Sequence, residues 1–151
     1  MRRPHKTYET PIHPWETTRM GEEAKVLKNY GLKNKRELWK TEFLLRKYRR
    51  EARRLLAGRS GATDMSVTSI LEGLKKRGIL REGAKLDDIL ALTIENFLER
   101  RLQTIVYRQG LAASPEQARQ FIVHGHIAIG GRKITVPSYI VSMGEENKVS
   151  Y

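Results

Sequence analysis

The run KRELWKTEFLLRKYRREARRLLA, residues 35–57, repeats its apolar positions with a period near 3.6, not 2. At about 100° per residue, Leu38, Leu44, Leu45, Tyr48, Ala52, Leu55 and Leu56 share one stripe about 120° wide, so the segment reads as a core-facing helix. Asn34 stands at the N-cap position and Gly58 closes the run. Upstream, 16–30 reads as a helix ended by Gly31, a natural left-handed cap. Downstream come a loop at 59–63, a helix over 65–77 capped by Gly78, and a short helix over 86–90. From Thr93, TIENFLERRLQTIVYRQG predicts a bent or two-part helix.

The pattern then changes period. Ser114 is a candidate N-cap, Pro115 suits the first helical position, and Gln117 completes a capping-box spacing. Ala118, Phe121 and Ile122 form the buried side of this helix, Arg119 and Gln120 can point outward, and Gly125 ends it. His126-Ile127-Ala128-Ile129 alternates as a half-buried strand does, Gly130-Gly131 signals a tight hairpin, and 132–136 returns until Pro137. A capped helix against a hairpin places Arg119 and Arg132 at one corner. The fold class expected is α+β.

Charge changes the picture from a small core to a core with a partner. The 151 residues carry 29 Lys plus Arg against 17 Asp plus Glu, a net charge of +12, with a hydrophobic content of 39%. An isoelectric point near 10.2 fits a chain that seeks nucleic acid first and an anionic membrane second. No run nears the roughly 18 apolar residues that span a bilayer. The absence of cysteine removes disulfides, thiolate nucleophiles and Cys-based zinc modules. These features read as a soluble, cytoplasmic, polyanion-binding protein. Pro4, Pro11 and Pro14, with Arg2, Arg3 and Lys6, make 1–15 an extended basic arm, either disordered when free or ordered on phosphate.

Enzyme chemistry is poorly supplied. Asp87 and Asp88 sit at a helix start, where carboxylates favour the helix dipole. His124 and His126 lack the further ligands of a closed metal site, so an RNA face or a packed corner suits them better. There is no Gly-rich phosphate loop. Arg46, Arg49, Arg50, Arg53 and Arg54 on the long helix form a cluster suited to phosphate, which arginine grips bidentately. Trp39 and Phe43 lie off the apolar stripe. Either they pack on a neighbouring helix or the arm, or they form an aromatic platform within a basic face.

ERRLQTIVYRQGLAASPEQARQFIVHGHIAIGGRKITVPSYIV resembles the S-four RNA-binding module, a helix-helix-hairpin unit. The resemblance rests on Arg101-Leu102, Gly110-Leu111-Ala112, Ser114, Ala118-Arg119 and the run from Gly125 to Gly131. Gly130 replaces the usual hairpin Asn, and Gln103 stands where the bacterial branch has Asp. YETPIHPWE, YGLKNKRELWK and LRKYRREAR extend the likeness to the archaeal and eukaryotic branch of small-subunit ribosomal protein S-four. This resemblance implies a basic arm (1–15), a helical rRNA-binding lobe (16–95) and an S-four module (96–151) of two helices on a small antiparallel hairpin. It implies a structural ribosomal constituent, with neither catalytic residues nor cofactor. Such a protein binds a multi-helix junction of small-subunit rRNA, nucleates assembly and lies near the mRNA entry, beside S-five and close to S-three. Arg101, Arg108, Ser114, Arg119, Gln120, His124, His126, Arg132 and Lys133 would line the module's RNA surface. The long-helix arginines would serve the other lobe. An RNA-modifying enzyme or a ribosome-rescue factor carrying the same module is the alternative.

Overall fold

A computed structural model describes residues 6–57 and 64–151. Arg2, Arg3, the expected cap Gly58 and the expected loop at 59–63 therefore lie outside the described residues. The elements run α1 (Thr17–Tyr30), α2 (Lys35–Leu56), α3 (Asp64–Lys76), α4 (Leu86–Ala91), α5 (Ile94–Leu98), α6 (Leu102–Arg108), α7 (Pro115–His124), β1 (Ala128–Ile129), β2 (Arg132–Lys133), α8 (Met143–Glu146) and β3 (Val149–Ser150). The class is α+β.

Local signals place most boundaries. Asn34 accepts a hydrogen bond from the Glu37 N–H and so starts α2. Ser114 does the same for α7 through the Gln117 N–H, while Gln117 reaches back one residue further than a capping box requires, to the Ala113 N–H. Asp88 accepts from the Lys85 N–H (2.7 Å), which makes the Asp87–Asp88 pair a helix-start device. The two-part helix is real. Thr104 Oγ1 donates to the Leu98 carbonyl (2.7 Å), Arg101 turns extended (φ −71°, ψ 141°), and the first free donor of α6, the Leu102 N–H, bonds the Tyr139 carbonyl (2.7 Å). The segment 137–141 thus replaces the helical turn that α5 and α6 would have shared.

Three apolar clusters hold the described residues together. The first gathers α2, α3, α4 and α5 around Leu45, Ala52, Leu74, Ile89 and Phe97. The second lies inside α6, α7 and the sheet around Leu102, Val106, Ala118, Ile122, Ile127 and Val141. Leu32, Leu38 and Leu98 form the third, smaller cluster. On the stripe of α2, Leu38, Leu45, Ala52 and Leu55 are buried, Leu44 and Tyr48 are half-buried, and Leu56 is 48% exposed in the last turn.

The sheet differs from the sequence reading in extent. Gly130 (φ 56°) and Gly131 (φ 79°) both take the left-handed conformation that a type I′ hairpin turn demands. Ala128 then faces Lys133, and Ile129 faces Arg132. The return strand spans 132–133 instead of 132–136. One more bond forms, from the Ile134 N–H to the Ile127 carbonyl (3.1 Å), before the chain leaves for α6 near Pro137, which has no N–H to offer a ladder. The first strand is likewise 128–129, and β3 adds on its other side, Ala128 against Ser150 and Ile129 against Val149. Neither β3 nor α8 was expected.

Candidate nucleic-acid interface

The expected RNA-binding residues divide into two populations according to whether the chain itself already holds their charge. Glu37, in the first turn of α2, is the centre of the paired group. Its Oε2 accepts from Arg101 Nη2 (2.6 Å) and Arg119 Nη1 (3.2 Å), and its Oε1 from Arg119 Nη2 (2.8 Å). Arg101 is buried, Arg119 half-buried. Burial by itself would raise the Glu37 carboxyl, but the hydrogen bonds and charges of Arg119 and Arg101 outweigh it and hold that group below its usual value. On the other side of the pair, burial pulls Arg101 below its usual value while Glu37 pulls it up. Arginine stays charged in any case, so the carboxyl is the member that titrates.

Gln103 completes this junction. Its side-chain amide is fully buried, and Nε2 donates to the Gly31 carbonyl (2.8 Å), the Pro115 carbonyl (2.9 Å) and, at 3.3 Å, the Tyr30 carbonyl. The carbonyl oxygen of the same side chain accepts from Arg119 Nη1 (3.3 Å). One side chain thereby ties the end of α1 to the start of α7. The approach is so close that a Cβ on Gly31 would sit 2.7 Å from Pro115 Cβ, in a left-handed conformation (φ 59°). Sequence reasoning singled out Arg101 and Arg119 and noted Gln103, but not Glu37. Glu37 carried the signal of a first-turn acid, which is ordinarily read as a dipole partner.

The cations on α2 are partly engaged. Arg49 Nη2 donates to the Leu92 carbonyl (2.6 Å) and pins α2 to the α4–α5 turn. Arg53 Nε donates to the Arg49 carbonyl (3.3 Å). Arg46 pairs with Glu9 of the arm (2.7 Å) and with Glu42 (3.8 Å); Arg54 lies 4.0 Å from Glu51. In contrast, Arg36, Lys40, Lys47 and Arg50 are exposed and have no carboxylate partner among the described residues. At 100° per residue these four lie within about 40° of one line along the helix, with Phe43 in the middle.

The arm packs on that same helix. Tyr8 stacks on Trp39 (6.3 Å between ring centres), and Trp39 Nε1 donates to the buried Glu23 (3.2 Å). Phe43 and Lys6 border one shallow cavity with Tyr8, Glu9 and Thr10. Trp39 therefore packs on the neighbouring helix and the arm, the first of its two readings. Glu23 is also paired with Lys35 (2.9 Å), and burial is outweighed there too, so its carboxyl is held low.

On the hairpin, Arg132 and Lys133 are exposed and have no carboxylate partner among the described residues. Arg132 borders a groove with Lys133, Tyr139 and Glu145, whereas Arg119 turns to Glu37, so the two arginines serve different surfaces. Gln120 is exposed. Arg108 is exposed but pairs with Glu99 (2.9 Å), and the hydroxyl of Ser114 is used as the α7 cap. His126 stacks on Tyr151 (5.7 Å, 3° between planes), Phe121 meets both edge-on, and His124 lies 6.4 Å from His126. This corner is aromatic packing; no group of three or more candidate metal ligands occurs among the described residues. Nor is any described helix long and apolar enough to cross a membrane.

A helix pair packed on a glycine-turned hairpin defines the class, and residues 100–147 match the family described as the S4 domain. Over nearly its whole length the chain is also similar to curated archaeal proteins named small ribosomal subunit protein uS4. It is 52% identical to that of Methanoregula boonei over 97% of this chain and 82% of the relative. The figure is 51% for Methanothermobacter thermautotrophicus, over 99% and 88%, and 51% for Methanococcus aeolicus, over 99% and 85%. The chain belongs to the small ribosomal subunit protein uS4 family. That family is one of ribosomal proteins, not of enzymes.

Proposed function

We propose that this protein is a structural constituent of the small ribosomal subunit that clamps small-subunit rRNA at a multi-helix junction and nucleates assembly there. The observation that carries the reading is the sorting of cations. Arg101 and Arg119, between α2 and the S4 unit, share Glu37 as their counter-charge, while Arg36, Lys40, Lys47 and Arg50 on α2 and Arg132 and Lys133 on the hairpin are exposed without a carboxylate partner among the described residues. Paired charges fix the angle between two parts; unpaired ones are available to phosphate, whose neutralisation supplies most RNA affinity. A-form RNA hides its base edges, so two rigid basic faces at a fixed angle read shape. The division into an arm (1–15), an rRNA-binding lobe (16–95) and an S4 unit (96–151) belongs to this proposal. So does a place in the cytoplasmic ribosome near the mRNA entry, beside ribosomal protein S-five and close to S-three, as the family resemblance implies.

A tagged chain expressed in an archaeal host tests the reading by pull-down at moderate salt. Recovery of small subunits and their rRNA is expected. Selective recovery of tRNA would favour an RNA-modifying role, and large subunits bearing stalled chains a rescue role; either would overturn the proposal.

A further inference from the structure

A cleft of about 300 Å³ opens between α2 and the segment 137–140. Its apolar wall is Leu44, Phe97, Pro137 and Ile140, and three cations, Lys40, Arg101 and Arg119, face a single carboxylate, Glu37. The charges are not all satisfied. Arg101 is 6% exposed and its Nε is a buried donor with no acceptor, while Lys40 is exposed with no carboxylate partner among the described residues. Thr41 and Ser138 add hydroxyls at the polar side. A concave site with an apolar wall, a few polar groups and excess positive charge suits a ligand that is flat and apolar at one end and anionic at the other. The volume admits one nucleotide unit and no duplex.

We propose that this cleft receives one unpaired nucleotide of RNA, its base on the Leu44–Ile140 wall and its phosphate between Lys40 and Arg119. Unpaired bases are what proteins read most readily in RNA, because their edges and faces are free of the helix. A base entering here brings ring nitrogens and carbonyl oxygens, acceptors that the exposed Ser138 hydroxyl on the rim can meet. Because the walls come from α2 on one side and the S4 unit on the other, the bound nucleotide also braces the angle that Glu37 sets. This inference rests on the rRNA-binding reading and adds that one contact is to a base.

The test uses the full chain with labelled Leu and Ile methyls, followed by NMR during titration with AMP, with the trinucleotide ApApA and with inorganic phosphate. AMP and ApApA are expected to move the Leu44 and Ile140 methyls saturably, and phosphate to leave them in place. Lys40→Ala should weaken AMP binding at least fivefold with the melting temperature unchanged. Ser138→Trp, at an exposed position on the rim, should block it. If phosphate alone reproduces the shifts, or AMP binds and ApApA does not, or the shifts lie elsewhere, the inference is overturned. Binding of small-subunit rRNA by the same samples separates the two claims: rRNA binding without nucleotide binding removes only the cleft, whereas loss of rRNA binding by the wild-type chain removes the proposed function.

Discussion

Glu37→Gln is the sharpest perturbation of the junction, because it keeps the shape of the side chain and removes its charge. The carboxylate accepts three hydrogen bonds from two guanidinium groups. A glutamine keeps one acceptor oxygen, and its NH₂ faces a guanidinium donor. Arg101, with a side chain only 7% exposed, is left as a buried cation without a counter-charge; Arg119, at 24%, can turn to water and contributes less. Removing one partner of a buried pair costs about 3–5 kcal/mol, so a loss in that range is expected from urea unfolding with the slope unchanged. Against a typical total of 5–15 kcal/mol this is large. Adding Arg101→Met should recover part of the loss, giving a coupling above about 1.5 kcal/mol in the double-mutant cycle.

The pH dependence supplies an independent arm. The folded carboxyl of Glu37 lies below its ordinary value of 4.5, so its stabilisation is complete above about 4.5 and is lost as pH falls through the lower folded value. The gap between wild type and Glu37→Gln should therefore be constant near neutrality and narrow in acid below 4.5. A loss under about 1 kcal/mol, or no coupling to Arg101, would refute the view that Glu37 fixes the two parts together.

Gly31→Ala should cost about 2–4 kcal/mol by thermal or urea unfolding, since left-handed strain and overlap with Pro115 add. Wild-type stability would show that the α1–α7 approach is looser than described. Gly131→Val should cost about 1–3 kcal/mol through left-handed strain alone, because its Cβ position is open, and Gly130→Asn should be near neutral. Equal stability of the two variants would place the hairpin turn elsewhere. Arg132→Ala with Lys133→Ala should weaken RNA binding by about 2–4 kcal/mol with little change in melting temperature, since each removes one exposed charged donor. Loss of folding with affinity intact would make them structural.

Features set by neighbours in sequence were legible in the chain. The caps Asn34 and Ser114, the left-handed Gly31 and Gly125, the Gly130–Gly131 turn and the stripe of α2 all depend on residues within a turn or two, and all lie where the pattern puts them. Ser142 and Glu145 carried a capping signal for α8 as well, with the Ser142 N–H bonded to the Glu145 carboxylate, but the helix is a single turn and its period invisible. The two-residue strand β3 is defined only by pairing with β1, far away in sequence. The same holds for the site. A list of exposed-looking arginines could not distinguish Arg101 and Arg119 from Arg132, because their partner Glu37 lies 64 and 82 residues away. Charge pattern finds cations; only the fold says which of them already have a carboxylate partner.

The central claim, that two basic faces grip phosphates of small-subunit rRNA, is tested most directly by the salt dependence of binding to a small-subunit rRNA fragment containing the junction. If about eight phosphates are neutralised, log K should fall against log salt with a slope of roughly −6 to −7. At the same salt the fragment should bind more tightly than tRNA of equal length. A slope shallower than about −2, or equal affinity for tRNA, would contradict the account.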